Sequence, residues 1–280
     1  MRWSDLRDAR VAVWGLGVEG RASVARLVAM GTVPELVDDR PTTSHVHDLP
    51  VHATDDGGLE RLQRADVVVK SPGISRYRAD VRALADAGVA VVGGLGLWLE
   101  EVDRSRVVLV TGTKGKSTTT SIIGHLLRRL GLDCFIGGNL GLPPFAPEAD
   151  AQHDAWVVEV SSYQATDLTS APPVVAVTSL SPDHLNWHDN SVEQYYRDKL
   201  SICRLPGAQI TVADGSSDAL RERRDLLGPE VRWVTAPSGS EHAWSAALGL
   251  RGAHNARNAE IARRVLDELG FDAARDEHRL

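Results

Sequence analysis

Cysteine is scarce. The 280-residue chain carries two, Cys134 and Cys203, too few and too far apart for a CxxC metal knuckle or a disulfide framework. An excess of basic charge is also absent. Lys and Arg total 31 against 38 Asp and Glu, a formal charge of −7, whereas a nucleic-acid partner requires clustered Lys and Arg to neutralise phosphates. A small phosphate-bearing ligand stays open, because backbone N–H groups at a helix start bind phosphate without a basic surface. No apolar run approaches the ~20 residues that span a bilayer. The start, Met1-Arg2-Trp3-Ser4-Asp5, has an acid too early for a signal peptide, so a cytoplasmic protein is expected. There is no internal repeat and no low-complexity tract.

Hydrophobic residues make up 42% and charged residues 25%, as in ordinary soluble globular proteins. The length suggests two domains at ~100–200 residues each. Short β-branched runs alternate with helical stretches. Strands are expected at 11–14, 33–37, 67–70, 89–92, 106–110, 156–160, 174–178 and 209–213, and helices at 21–30, 77–87, 117–130, 192–203 and 255–269. The segment 137–150, rich in Gly and Pro, reads as a loop. This alternation predicts parallel sheets with helices on their faces. The polar break Asp103-Arg104-Ser105 separates an N-terminal Rossmann-like unit, 1–104, from a second α/β unit of P-loop type, 105–280.

Two glycine-rich turns each follow a strand and open a helix. The first is Gly15-Leu16-Gly17-Val18-Glu19-Gly20, with Asp38 and Asp39 ending the next strand. That pattern fits a dinucleotide fingerprint. It equally fits a plain strand-to-helix turn, or a turn that holds the diphosphate of another nucleotide such as a UDP-sugar. The second is Thr111-Gly112-Thr113-Lys114-Gly115-Lys116-Ser117-Thr118. Val110 stands where a strict P-loop has its first Gly. The physics survives: Gly112 and Gly115 let backbone N–H groups face a phosphate, Lys116 can pair with it, and Ser117 can offer a hydroxyl to Mg²⁺.

Other residues are ambiguous alone. Glu159 ends a buried-type strand and could be a solvated acid or a magnesium ligand on the rim where α/β proteins bind ligands. Asp183-His184 follows the next strand of that rim. His188 lies four residues after His184. On a helix the two imidazoles would share a face and suggest zinc, but Pro182 and Asn186 argue against a helix. Lys199 reads as a surface lysine. Asn255 and Asn258 share a helix face, either to hold a base edge or as a cap and a surface amide.

Together these segments resemble the Mur ligases. The match comprises the loop 111–118, Gly137-Gly138-Asn139-Leu140-Gly141, Glu159-Val160-Ser161-Ser162-Tyr163-Gln164, Asp183-His184-Leu185, the lysine of Tyr196-Arg197-Asp198-Lys199, and His254-Asn255-Ala256-Arg257-Asn258, in the family's order. Gly15–Gly20, Asp38-Asp39-Arg40 and Ser71-Pro72-Gly73-Ile74 are similar to the D-glutamate-adding (MurD-type) branch. The resemblance implies an ATP-dependent amide-forming ligase of peptidoglycan precursor synthesis. It would act on UDP-N-acetylmuramoyl-L-alanine and glutamate through an acyl phosphate, as a monomer. It implies ATP at Gly112, Thr113, Lys114, Gly115, Lys116, Ser117 and Thr118, with Asn255 and Asn258 at the adenine. It implies the UDP substrate at Gly15, Leu16, Gly17, Val18, Asp38, Arg40, Ser71 and Gly73, with Asn139 and Gln164 at the muramoyl peptide. Lys116, Glu159, His184 and Lys199 would be catalytic. Two Mg²⁺ ions would be held by Ser117 and Glu159, and by His184, Glu159 and a carbamylated Lys199.

Two departures stand out. Lys114 replaces an Asn common in the family motif. The sequence also ends at Leu280, where the family continues into a third domain, so the expectation is a chain without that domain. The alternatives are a relative that adds L-glutamate or another amino acid, a folate-type ligase (disfavoured by the UDP-type turn), a nucleotide-binding protein without turnover, and an NAD-dependent oxidoreductase.

Overall fold

The computed structural model describes residues 1–139, 141–149, 152–235, 249 and 251–271. Leu140 of the glycine motif, Asp150 of the expected loop and the tail 272–280 lie outside the described residues. The first sheet holds β1 (Val11–Trp14), β2 (Glu35–Asp38), β3 (His45–Val46), β4 (Leu49–Ala53), β5 (Val67–Lys70) and β6 (Ala90–Gly93), in the order β3-β4-β2-β1-β5-β6. Its helices are α1 (Val18–Ala29), α2 (Leu59–Arg64), α3 (Ala79–Asp86) and α4 (Gly94–Leu99). β1 and β5 are buried along their whole length, and a strand covered on both faces reads as a continuous apolar run rather than an alternating one. One expectation needs correcting. The sheet is not wholly parallel, because β3 pairs antiparallel with β4. His47 and Asp48 join them, both at positive φ (49° and 61°), and so short a connection can only return the chain antiparallel.

The second sheet is parallel throughout. It holds β7 (Val107–Thr111), β8 (Cys134–Gly138), β9 (Ala155–Glu159), β10 (Val174–Val177), β11 (Ile210–Asp214) and β12 (Glu230–Val234), in the order β12-β11-β10-β7-β9-β8. Its helices are α5 (Lys116–Arg129), α6 (Ser162–Ala165), α7 (Val192–Leu200), α8 (Asp218–Glu222) and α9 (Ala253–Glu268). Ile122, Ile123, Leu126 and Leu127 form one stripe on α5 and share a core with Ile261, Val265 and Leu266 of α9. Each such side chain stabilises the fold by roughly 1.5–3 kcal/mol. Gly137 and Gly138, expected in a loop, close β8. A Cβ on Gly138 would lie 2.5 Å from the Glu159 carbonyl, so glycine here permits close approach to β9 rather than breaking the strand. α7 is shorter than expected, and its last turn, Ser201–Cys203, tightens to 3-10 geometry.

An apolar seam joins the two sheets. Trp3 lies against Phe145 and Trp98 of α4 against Trp156 of β9, with ring centroids 5.4 and 5.1 Å apart. An ion pair sits between the sheets: Lys70 Nζ, at the end of β5, is 2.5 Å from Asp167 Oδ2, and both side chains are buried. In each sheet the strand order reverses beside a central strand, β1 or β7, which opens a crevice at the carboxyl ends where α/β folds bind ligands. Both glycine turns lie there.

Candidate functional site

The chain leaves β7 and turns into α5 through two glycines at positive φ, Gly112 (139°) and Gly115 (87°). A Cβ on Gly112 would sit 2.2 Å from Thr178 Oγ1, and one on Gly115 would sit 2.7 Å from Asn258 Oδ1. Both torsion and space therefore demand glycine. The loop is fastened to the end of β10: the Thr113 N–H donates to the Ser179 carbonyl and the Lys114 N–H to Ser179 Oγ, each at 2.9 Å. Val110 is fully buried within β7, so the turn begins after it and needs no glycine there. The first N–H groups of α5 lack helix partners and present the positive end of its dipole.

Glu159, at the end of β9, is buried and is the hub of the site. It accepts from Ser117 Oγ at 2.7 Å and from Asn139 Nδ2 at 3.0 Å. Lys116 Nζ stands 3.9 Å from it and donates to the Thr113 carbonyl at 3.3 Å. Burial holds the Lys116 amine below its ordinary value despite the opposing pull of Glu159 and Asp183. Lys199 reaches the same place from α7. Far from being a surface lysine, it is buried and donates to the Gly112 carbonyl at 3.1 Å. Burial, reinforced by the charge of Lys116, lowers its pKa to about 7, so the free amine is abundant near neutrality.

The remaining expected residues are spread more widely. His184 takes a left-handed conformation (φ 47°, ψ 36°) and lies exposed on the rim, its ring centroid 5.6 Å from that of Tyr163. His188 faces elsewhere: it is fully buried and hydrogen-bonded to Asp198 and Ser162. The two imidazoles thus form no shared metal site, and among the described residues no three His, Cys, Asp or Glu converge on one point. Asn258 is buried against Gly115, while Asn255 donates to the Arg251 carbonyl. Thr118 lies in the first turn of α5.

Leu16, Gly17, Asp38 and Arg40 line a cavity of about 290 Å³ at the end of β1. Both Asp38 oxygens are engaged there, accepting from the Leu16 and Arg40 N–H groups at 2.6 and 2.8 Å. This carboxylate clamps the glycine turn. Gly15 is pressed against Ser71, where a Cβ would lie 2.8 Å from Cβ of Ser71. Val18, Ser71, Gly73 and Asn139 line a second cleft of about 320 Å³ between the two sheets. Gln164 does not line either one. Its amide closes a capping box with Ser161 and donates to Glu19 Oε1 at 2.6 Å.

Sequence reasoning missed Glu19, which lines the inter-sheet cleft and whose carboxyl is pushed up to about 7 by burial. It also missed the Lys70–Asp167 pair and the partners of His188. One signal was readable, since Ser161-x-x-Gln164 is a capping-box pattern. The others depend on contacts between distant segments.

Residues 9–93 match the Mur ligase MurD-like N-terminal domain, and residues 110–246 match the Mur ligase middle domain. The chain is 40% identical to the UDP-N-acetylmuramoyl-L-alanine–L-glutamate ligase of Salinispora tropica, over 97% of the chain and 64% of the relative. It is 35% identical to the protein of that name from Xanthomonas axonopodis pv. citri, over 98% of the chain and 64% of the relative. The chain thus spans 64% of the length of these curated relatives. Among solved structures, the UDP-N-acetylmuramate:L-alanyl-gamma-D-glutamyl-meso-diaminopimelate ligase from Neisseria meningitides aligns with TM-score 0.57 at 20% identity, over 94% of each chain. The UDP-N-acetylmuramate-alanine ligase of Thermotoga maritima aligns with TM-score 0.53 at 19% identity, over 97% of this chain and 68% of that one. These structures share the fold. With both domain matches in sequence order, and with the phosphate loop, Glu159 and Lys199 gathered at one crevice, the chain belongs to the Mur ligase family.

Proposed function

We propose that this chain forms the nucleotide and first-substrate sites of an ATP-dependent ligase that adds glutamate to UDP-N-acetylmuramoyl-L-alanine. The observation that carries this reading is the cluster at the phosphate loop, where Glu159 binds Ser117 and Asn139 beside the amines of Lys116 and Lys199. ATP phosphates would lie on the loop 112–118, with Asn258 behind Gly115 on the adenine side. Residues 1–104 would hold the UDP end in the cavity at Gly17 and Arg40. The muramoyl peptide would run through the inter-sheet cleft past Ser71 toward Asn139, and residues 105–280 would hold ATP.

In this reading the alanine carboxylate attacks the γ-phosphorus of ATP, giving an acyl phosphate and ADP. The glutamate amine then attacks the acyl carbon, loses a proton and expels phosphate to leave an amide. Lys116 and the α5 N–H groups stabilise charge on the transferring phosphoryl group, and most of the catalysis is positioning and electrostatics. The donor chemistry fits magnesium, since Ser117 Oγ and Glu159 Oε2 are hard oxygens 2.7 Å apart and Mg²⁺ takes few protein ligands besides phosphate and water. When bound it would neutralise the β- and γ-phosphates. His184, Glu159 and a carbamylated Lys199 would hold a second ion. Carbamylation suits Lys199, because the free amine is the form that adds CO₂ and the product is an anionic oxygen donor in place of a repelling ammonium.

The motifs leave the enantiomer open; the relatives are named for L-glutamate, so L-glutamate is favoured. Phosphate release measured with each enantiomer decides between them. Calorimetric titration with Mg-ATP and then with UDP-N-acetylmuramoyl-L-alanine tests both sites. Lys116→Ala should weaken Mg-ATP at least roughly tenfold, the loss of a charge-assisted contact. Unchanged affinity would remove the phosphate-loop assignment.

A further inference from the structure

Asp198 precedes Lys199 on α7 and is gripped from two sides. His188 Nδ1 lies 2.5 Å from its Oδ2, while the Tyr77 hydroxyl donates to Oδ1 at 2.7 Å and Gln194 Nε2 donates to Oδ1 at 2.8 Å. Beyond the imidazole, Ser162 Oγ is 3.0 Å from His188 Nε2. Serine, histidine and aspartate in this sequence have the connectivity of a nucleophilic triad. They do not act as one, because His188 is wholly buried, Ser162 is 2% exposed, and the imidazole is packed among Tyr163, Trp187 and Tyr195.

What the chain connects explains it better. Ser162 begins α6, three residues after Glu159. Tyr77 belongs to the loop 71–78, whose Ser71 and Gly73 line the inter-sheet cleft. Ser75 of the same loop donates to the Trp187 carbonyl at 3.2 Å, next to His188. Successive side chains on a helix point about 100° apart, so fixing Asp198 on one side of α7 fixes where its neighbour aims on the other. That neighbour is Lys199, whose amine rests on the Gly112 carbonyl.

We propose that Tyr77 and His188 are positioning residues. Together they hold Asp198, and through it they hold Lys199 at the phosphate loop, so that the place of Lys199 depends on the loop lining the substrate cleft. This rests on the role given to Lys199 above.

The test uses the full chain in [13C]bicarbonate, reading the lysine carbamate resonance by NMR and the Mg-ATP affinity by calorimetry. Lys199→Ala identifies the resonance. Tyr77→Phe removes one hydroxyl at a half-buried position and leaves the ring. His188→Asn keeps a donor for Asp198, whereas His188→Ala removes it. Loss of one hydrogen bond to a charged group predicts a roughly tenfold fall in carbamate occupancy or Mg-ATP affinity for Tyr77→Phe and His188→Ala, with recovery in His188→Asn. Thermal unfolding of each variant confirms that it is folded. A folded Tyr77→Phe protein with both readouts unchanged overturns the proposal and leaves the site reading intact. If the unsubstituted chain lacks the carbamate resonance but binds Mg-ATP, the affinities decide. If it shows neither, the site reading and this inference fall together.

Discussion

Glu19→Gln should flatten the fall in stability with rising pH. The Glu19 carboxyl accepts from Gln164 at 2.6 Å in the inter-sheet cleft. Burial raises it from 4.5 to about 7; Asp167 adds to the rise, while Gln164 and Lys70 oppose it. Between those two values the unfolded chain has lost this proton and the folded chain keeps it. Folding therefore takes up a proton, and stability falls as pH rises. The contribution is fully present below about 4.5 and gone above about 7. Each tenfold gain in proton affinity on folding corresponds to about 1.4 kcal/mol, which sets a ceiling of about 3 kcal/mol. The residue as a whole is only partly buried, and discounting for solvent leaves roughly 1–2 kcal/mol. Glutamine cannot ionise and still offers an acceptor to Gln164. Urea unfolding at about pH 5 and about pH 8 should show the unsubstituted protein losing roughly 1–2 kcal/mol more than Glu19→Gln between the two conditions. Parallel pH profiles, or a variant that loses more stability than the unsubstituted protein between the two conditions, would refute the reasoning.

Replacing Lys70 by Met strands the buried Asp167 carboxylate and should cost about 3–5 kcal/mol, whereas the double change Lys70→Met with Asp167→Leu should recover most of it; a double-mutant cycle in urea measures both. Gly112→Ala places a methyl 2.2 Å from Thr178 Oγ1 at a φ of 139°. It should lower the melting temperature and abolish Mg-ATP binding, which differential scanning calorimetry with and without nucleotide checks. The Lys199 carbamate signal should grow as pH rises through about 7, because only the free amine reacts with CO₂; a signal flat across that range would count against the lowered pKa.

The legible parts of the fold were those governed by local rules. β1, β5, β7 and β10 are Val-rich runs buried on both faces, and such runs cannot hide in a sequence. The phosphate loop was legible because strand, glycines, Lys116 and helix follow one another along the chain. Elements set by packing were missed. α4 begins Gly94-Leu95-Gly96, which reads as a breaker, yet a Cβ on Gly94 would lie 2.7 Å from the Phe145 ring, so those glycines serve the seam. β4 contains Pro50 and has no clean alternation, and it forms because β2 is there to pair with it. The same holds at the site. Glu159 and Lys199 are 40 residues apart, and the residues alone pointed to a solvated acid and a surface lysine. Only the resemblance to a known family brought them together before the fold did.

The aromatic seam bears on how this protein can be handled. Trp98 against Trp156 and Trp3 against Phe145 are contacts between segments on opposite sides of the polar break at 103–105. A chain cut at that break would leave each half with large aromatic surfaces in water, the kind of patch that drives association. The two halves are therefore one folding unit for practical purposes.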